Sequence, residues 1–291
     1  MIEFNFKSSG GQIALFLILF GISIIFFSLF ATLTASFIFG KDNLSSIEAL
    51  RYITSVSQIG VFGLTGFVFA YFVNERKAID YLRLNTGISG LSCFFLVVIA
   101  IVSLPVLSWV IEWNEGMKLP QFMSSIELWM RQQEDAAIKL NALLLSGDQI
   151  YVLFINLLVI AIIPAFCEEL LFRGVLITWF KKLGRNVHVS IFLSAFLFSA
   201  IHLQFYGFIP RLLLGIYLGY VFVWTGSIWS SVIAHFINNG MIVVVTYLYN
   251  IQLINIPYDD FGTVGNSCLL IAISAVLSSL CIYLFYRVRS F

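Results

Sequence analysis

Long stretches without a single charge constrain this chain more than any other feature. From Ile13 to Phe39 no Asp, Glu, Lys or Arg occurs. A helix needs about 20 apolar residues to cross the hydrocarbon core of a bilayer. Eight runs approach or exceed that length, at about 12–39, 52–74, 88–111, 149–180, 187–204, 208–224, 228–248 and 264–286. The fifth and sixth are the shortest. The runs are continuous rather than alternating, which excludes a membrane β-barrel. With 60% hydrophobic and only 11% charged residues, the chain is far from the roughly one-quarter charged composition of soluble domains. The expected fold is an all-α polytopic transmembrane bundle of about eight spans, in one domain covering 1–291. The first run is too long for a cleavable signal and lacks a cleavage site.

Little else in the composition narrows the class. The net charge of +1 carries no basic patch suited to nucleic acid. Cys93, Cys167, Cys268 and Cys281 lie within apolar runs without CxxC spacing, so neither a disulfide frame nor a zinc knuckle is indicated. Residues 75–86 form a charged connection. Residues 112–148 form the one long extramembrane segment. Within it, Ile126 to Leu145 places apolar residues near helical spacing, and the expectation is either a helix on the membrane surface or over the bundle, or an ordinary solvated loop helix.

Orientation follows from Lys and Arg near the span ends. With eight spans, Lys7, Arg76, Lys77, Arg83, Lys181, Lys182, Arg185, Arg287 and Arg289 share one side. The other side receives Glu112, Glu115, Glu127, Glu134, Asp135, Asp148, Asp259 and Asp260, with Lys41, Arg51 and Arg211 against the trend. The expectation is a multi-pass protein of the cell membrane with both termini cytoplasmic.

Against this apolar background, the run Pro164-Ala-Phe-Cys-Glu168-Glu169-Leu-Leu-Phe-Arg173-Gly174 stands out. A charge at bilayer depth costs a few kcal/mol or more, and two adjacent carboxylates also repel. Residues four apart share a helix face, so Glu169 and Arg173 can pair. Glu168 points about 100° away and has no partner along the helix. It is therefore the candidate general base. A purely structural charge cluster is the alternative reading of the same residues.

Histidines supply the remaining chemistry. His188 follows a basic loop and reads as an interface residue. His202 sits near the far end of the fifth run, one turn after Phe198, which can pack on its ring. His235 lies inside the seventh run, with Asn239 on the same face. At about 1.5 Å per residue, Glu168, His202 and His235 all reach one band near mid-membrane. A carboxylate and an imidazole can activate water, while a second His and an amide can donate to an oxyanion. No HExxH occurs, yet two His and one Glu could ligate zinc. The residues alone leave both a zinc site and a metal-free site open. There is no GxSxG elbow, and Tyr258-Asp259 lies in a connection without a matching Gly-x-Gly-Asp, which disfavours serine and aspartyl schemes. Gly60, Gly63 and Gly66, and Gly215 with Gly219, have spacings suited to helix packing.

The ordered set Glu168-Glu169-x-x-x-Arg173, Phe198-x-x-x-His202 and His235-x-x-x-Asn239 resembles the CPBP family. This family comprises CAAX prenyl endopeptidases and bacteriocin-processing or immunity proteins, also called Abi proteins. The resemblance covers about 164–240, within an expected catalytic core of about 149–248. It implies an intramembrane endopeptidase of glutamate type rather than a metal-dependent one, with Glu168 and His202 activating water and His235 and Asn239 forming the oxyanion site. Glu169, Arg173 and Phe198 would support them. The implied partner is a peptide or protein substrate, with or without a lipid anchor, in the bilayer. Two other readings stand beside it: a non-catalytic bacteriocin immunity or membrane scaffold protein of the same fold, and a transporter relaying protons. The lack of an inverted repeat weighs against the last.

Overall fold

A computed structural model describes residues 8–74, 76–257, 260–265 and 267–288. Lys7, Glu75, Tyr258, Asp259 and Arg289, which entered the sequence reading, lie outside the described residues. The described chain is a helical bundle. Its main helices are α1 (Ser9–Phe39), α2 (Ile47–Val73), α3 (Gly90–Val102), α4 (Leu104–Glu115), α5 (Ser124–Leu145), α6 (Ile150–Lys182), α7 (Val187–Ala200), α8 (Phe208–Thr225), α9 (Ile228–Asn250) and α10 (Cys268–Val288). Six of them, α1, α2, α6, α8, α9 and α10, are each long and apolar enough to cross a membrane.

A seventh crossing is broken. Helices α3 and α4 meet at 50°, where Pro105 removes a backbone donor and stops the helix from continuing. Ser274 of α10 repairs the break. Its hydroxyl donates to Val102 O at 2.6 Å and accepts from Val106 N at 3.2 Å. The expected fifth span is shorter than its apolar run. Helix α7 ends at Ala200, and Leu203 takes a left-handed φ of 54° in the turn that follows. His202 therefore lies in a turn, not within the helix.

Contacts at the helix ends define two faces. On one, Trp229 Nε1 donates to Leu84 O, Ile228 N donates to Arg83 O, and the Lys182 ammonium stands over the Tyr81 ring. On the other, Arg51 donates to Leu144 O, Asn114 bonds the 205–209 turn, and Asn250 donates to Leu145 O and Gly147 O. Six helices qualify as spans, or seven with the bent α3–α4 pair, against the expected eight; α7, at 14 residues, is the run that falls short. The first face holds Arg76, Lys77, Arg83, Lys181, Lys182, Arg185 and Arg287 and is called the basic face below.

Helix α6 is the axis of the bundle. From Cys167 to Ile177 every residue is buried, whereas α1 exposes Leu17, Ile25, Leu33 and Phe37 on its outer surface. A helix apolar and buried all round belongs to the centre. The glycines let neighbours approach. A Cβ on Gly66 would stand 3.3 Å from Leu171 N and one on Gly63 3.0 Å from Cys167 Sγ, so α2 packs directly against α6. Gly215 and Gly219 likewise receive Ala195 and Ile191 of α7.

Candidate functional site

The site is built on α6 at a local change of helical pitch. Leu157–Ile162 and Leu170–Ile177 are wound as π-helix, flanking an α-helical turn, Ile163–Glu169. Such wide turns occur often at functional sites because they re-aim side chains. Pro164 cannot donate to the carbonyl one turn back, that of Ile160. Asn239 Nδ2 of α9 donates to that carbonyl instead, at 3.2 Å.

Glu169 and Arg173 pair as their spacing predicts, with Arg173 Nη1 2.7 Å from Glu169 Oε1. They are 0% and 1% exposed. Arg173 also donates to Gly215 O at 3.2 Å, and its guanidinium lies 4.7 Å above the Phe198 ring. The same Glu169 oxygen accepts from His235 Nδ1 at 2.9 Å. A carboxylate held by an arginine accepts, so His235 Nδ1 carries the proton and Nε2 is turned away.

Glu168, without a partner along its own helix, is met from other helices. Gln58 Nε2 of α2 donates to Glu168 Oε1 at 3.0 Å. The other oxygen, Oε2, stands 3.9 Å from His235 Nε2. That separation is too long for a hydrogen bond. His202 is held through Nδ1, 2.7 Å from Phe198 O. A carbonyl only accepts, so its Nε2 is likewise free. The Phe198 ring packs edge-on against both imidazoles, at 5.2 Å from His202 and 5.8 Å from His235. Glu168 lies within electrostatic range of His202.

The structure thus brings Glu168, Glu169, Arg173, Phe198, His202 and His235 into one cluster. Asn239 is on the same face of α9 but occupied: it donates to Ile160 O and accepts from Asn238 Nδ2 at 3.2 Å. His188 lies apart, 2.7 Å from the Tyr220 hydroxyl. Among the described residues no group of three or more His, Cys, Asp or Glu side chains is arranged to hold a metal ion.

Three contributors escaped the sequence reading. Gln58 sits in an apolar run beside the packing glycines, and a lone amide there was the available signal. Asn114, fully buried, donates to Phe205 O at 3.1 Å and accepts from Ile209 N at 2.8 Å, gripping the turn that carries His202. Nothing in its local sequence marks it. Arg211 has a buried Nη1 without a hydrogen-bond partner and lies within electrostatic range of Glu168 and His202.

Comparison with known proteins meets this geometry at the same stretch. Residues 150–241 match the family model described as type II CAAX prenyl endopeptidase Rce1-like. Over about a third of its length, then, the chain resembles the Rce1-like family. The match spans the pitch changes of α6, both imidazoles and Asn239, and it bears out the resemblance read from the three motifs. A protein of Bacillus subtilis (strain 168), named uncharacterized protein YpbD, is 32% identical over 91 residues, which is 30% of this chain and 41% of that relative. The chain therefore spans less than half the length of the relative it matches. No solved structure matches. Gln58 and Asn114 lie outside the Rce1-like segment, so part of the site's support comes from helices that the family match does not cover.

Proposed function

We propose that this protein is an intramembrane endopeptidase that hydrolyses a peptide bond with water activated by Glu168. The observation that carries the reading is the gap between Glu168 Oε2 and His235 Nε2, 3.9 Å wide. Each side is braced from behind, Glu168 by Gln58 and His235 by Glu169 with Arg173. A water in reach of both groups can lose a proton to the carboxylate as it attacks the carbonyl carbon. His202, free at Nε2, supports that water from the turn after α7. The tetrahedral oxyanion is met by His235 and by the second amide proton of Asn239, whose first is held by Ile160 O. To donate, His235 Nε2 takes up a proton from solvent before attack and keeps it through the cycle, and the Glu169 carboxylate at Nδ1 supports the imidazolium so formed. Glu168 then returns its proton to the leaving amine. Resident metal is not required by this scheme.

The substrate is a peptide segment presented at the membrane, and the Rce1-like family match supports a C-terminal CAAX-type sequence as the first to try. The basic face is proposed to be cytoplasmic. The test is direct. Purified protein in liposomes is given a reporter peptide in prenylated and unprenylated forms. Cleavage is expected, is lost in Glu168→Gln and His202→Ala, and survives a strong chelator. Full activity in both variants overturns the site. Loss on chelation that zinc restores overturns the metal-free scheme.

A further inference from the structure

On the basic face, where α6 and α8 end, lies a cavity of about 270 Å³ that the hydrolytic site does not use. Arg83, Lys181 and Lys182 line it together with Thr178, Ile177 and Phe222. Ile177 and Thr178 are nine and ten residues beyond Glu168 on α6, which puts the cavity about 14 Å along the helix from the reacting centre.

The cations are positioned without anions. Arg83 takes a left-handed φ of 55°, and its guanidinium lies 5.6 Å over the Phe222 ring. A Cβ on Gly226 would come within 3.0 Å of Arg83 Nη1, so the glycine makes room for it. The Lys182 ammonium lies 4.4 Å over the Tyr81 ring. Among the described residues none of the three cations makes an ion pair, and no carboxylate lines the cavity. Asp80, nearest in sequence, accepts from Asn85 Nδ2 at 2.7 Å. The wall carrying Arg83 is fixed by three bonds to the start of α9: Trp229 to Leu84 O, Ile228 N to Arg83 O, and Ser227 to Thr86 O.

We propose that this cavity binds a phosphate-bearing anion, with an anionic membrane phospholipid as its source. Three cationic side chains and Thr178 lining one cavity suit phosphate oxygens. Ile177 and Phe222 give the apolar floor that a glycerol backbone would meet. The cavity opens at the helix ends, the level of lipid headgroups, where basic pockets between membrane helices take such groups.

General attraction of basic loops to an anionic leaflet is the competing explanation, and it depends on charge number rather than position. Full-length protein is placed in phosphatidylcholine nanodiscs with and without phosphatidylglycerol. Retained lipid is read by native mass spectrometry, and thermal stability by unfolding. The pocket variant is R83Q/K181Q/K182Q. The control, R76Q/K77Q/R185Q, removes the same charge from the same face outside the cavity. Wild type and control are expected to retain phosphatidylglycerol, and the pocket variant to bind it roughly tenfold more weakly. Lys181→Glu alone, whose side chain leans on no ring, is expected to show the same loss and guards against misfolding of the triple variant. Equal losses in pocket and control variants overturn the proposal, as does absence of any preference for phosphatidylglycerol over phosphatidylcholine. Competition by free glycerol phosphate, with stabilisation in pure phosphatidylcholine, keeps the phosphate site and assigns its source to solution.

Discussion

The two adjacent carboxylates differ in what surrounds them. Glu169 holds a cation and an imidazole through one oxygen while its Oε2 is buried without a partner. Removing it strands Arg173 in the core. Glu169→Ala is expected to lower unfolding stability in detergent by about 3–5 kcal/mol, the usual cost of breaking a buried pair from one side. Glu168→Gln retains the shape and is expected to abolish cleavage with little change in melting temperature. Gln58 ties these roles together. Gln58→Leu deprives Glu168 Oε1 of its donor, and a hydrogen bond to a charged group is worth about 1.5–3 kcal/mol. A roughly tenfold to hundredfold fall in kcat with KM unchanged is expected. An unchanged kcat would show that the amide only fills space. Spacing alone exposed the Glu169–Arg173 pair, because helical periodicity is local. Gln58 meets Glu168 across 110 residues, and no periodicity reports a contact between helices.

At the level of elements, the long runs were readable as helices, whereas their breaks depended on partners elsewhere. Pro105 and Pro164 announce disruption, but the groups that answer them, Ser274 and Asn239, belong to other helices. The surface helix α5 shows the same limit. Its apolar spacing predicted a helix, and Ile126, Leu128, Trp129 and Ile138 are exposed. Its polar side grips the His202 turn: Glu134 accepts from Tyr206 N at 3.0 Å, and Arg131 lies 4.3 Å over the Tyr206 ring. Asn114 holds the same turn from α4. Asn114→Ala leaves Phe205 O and Ile209 N without a partner, and a loss of about 1–3 kcal/mol is expected, with cleavage falling more steeply than stability as His202 loosens. Acid should loosen the turn as well. The Arg131 side chain, and then the Leu119 amide, hold the Glu127 carboxyl below the usual carboxylate range. A depressed group contributes above its unfolded value and loses that contribution as pH falls through its folded one. Limited proteolysis between α4 and α5 is therefore expected to quicken only in acid below the ordinary carboxylate range, and Glu127→Gln to quicken it at neutral pH.

The parity of passes decides the topology of the whole molecule. Six helices qualify as spans by length and composition alone, or seven with the bent α3–α4 pair; an eighth pass requires α7. Helix α7 rises about 21 Å over its 14 residues, short of the roughly 30 Å hydrocarbon core. Its first residues nevertheless follow Lys181–Arg185 on the basic face, and its last lead into the turn held by Asn114 and Glu134. As a pass it would pack against α6 and α8 on one side and expose Val189, Phe192, Phe196 and Leu197 on the other. Eight passes put Gly10 and Arg287 on one face; seven would separate them. Single-cysteine variants G10C, K181C and R287C, in a background lacking the four native cysteines, are expected to resist a membrane-impermeant maleimide in intact cells and to react after permeabilisation. D148C, on the other face, is expected to react in intact cells. Opposite behaviour of G10C and R287C, with K181C following G10C, would remove α7 as a pass and, with it, the shared level of Glu168, His202 and His235 on which the hydrolytic reading depends; K181C following R287C would instead remove the α3–α4 pair.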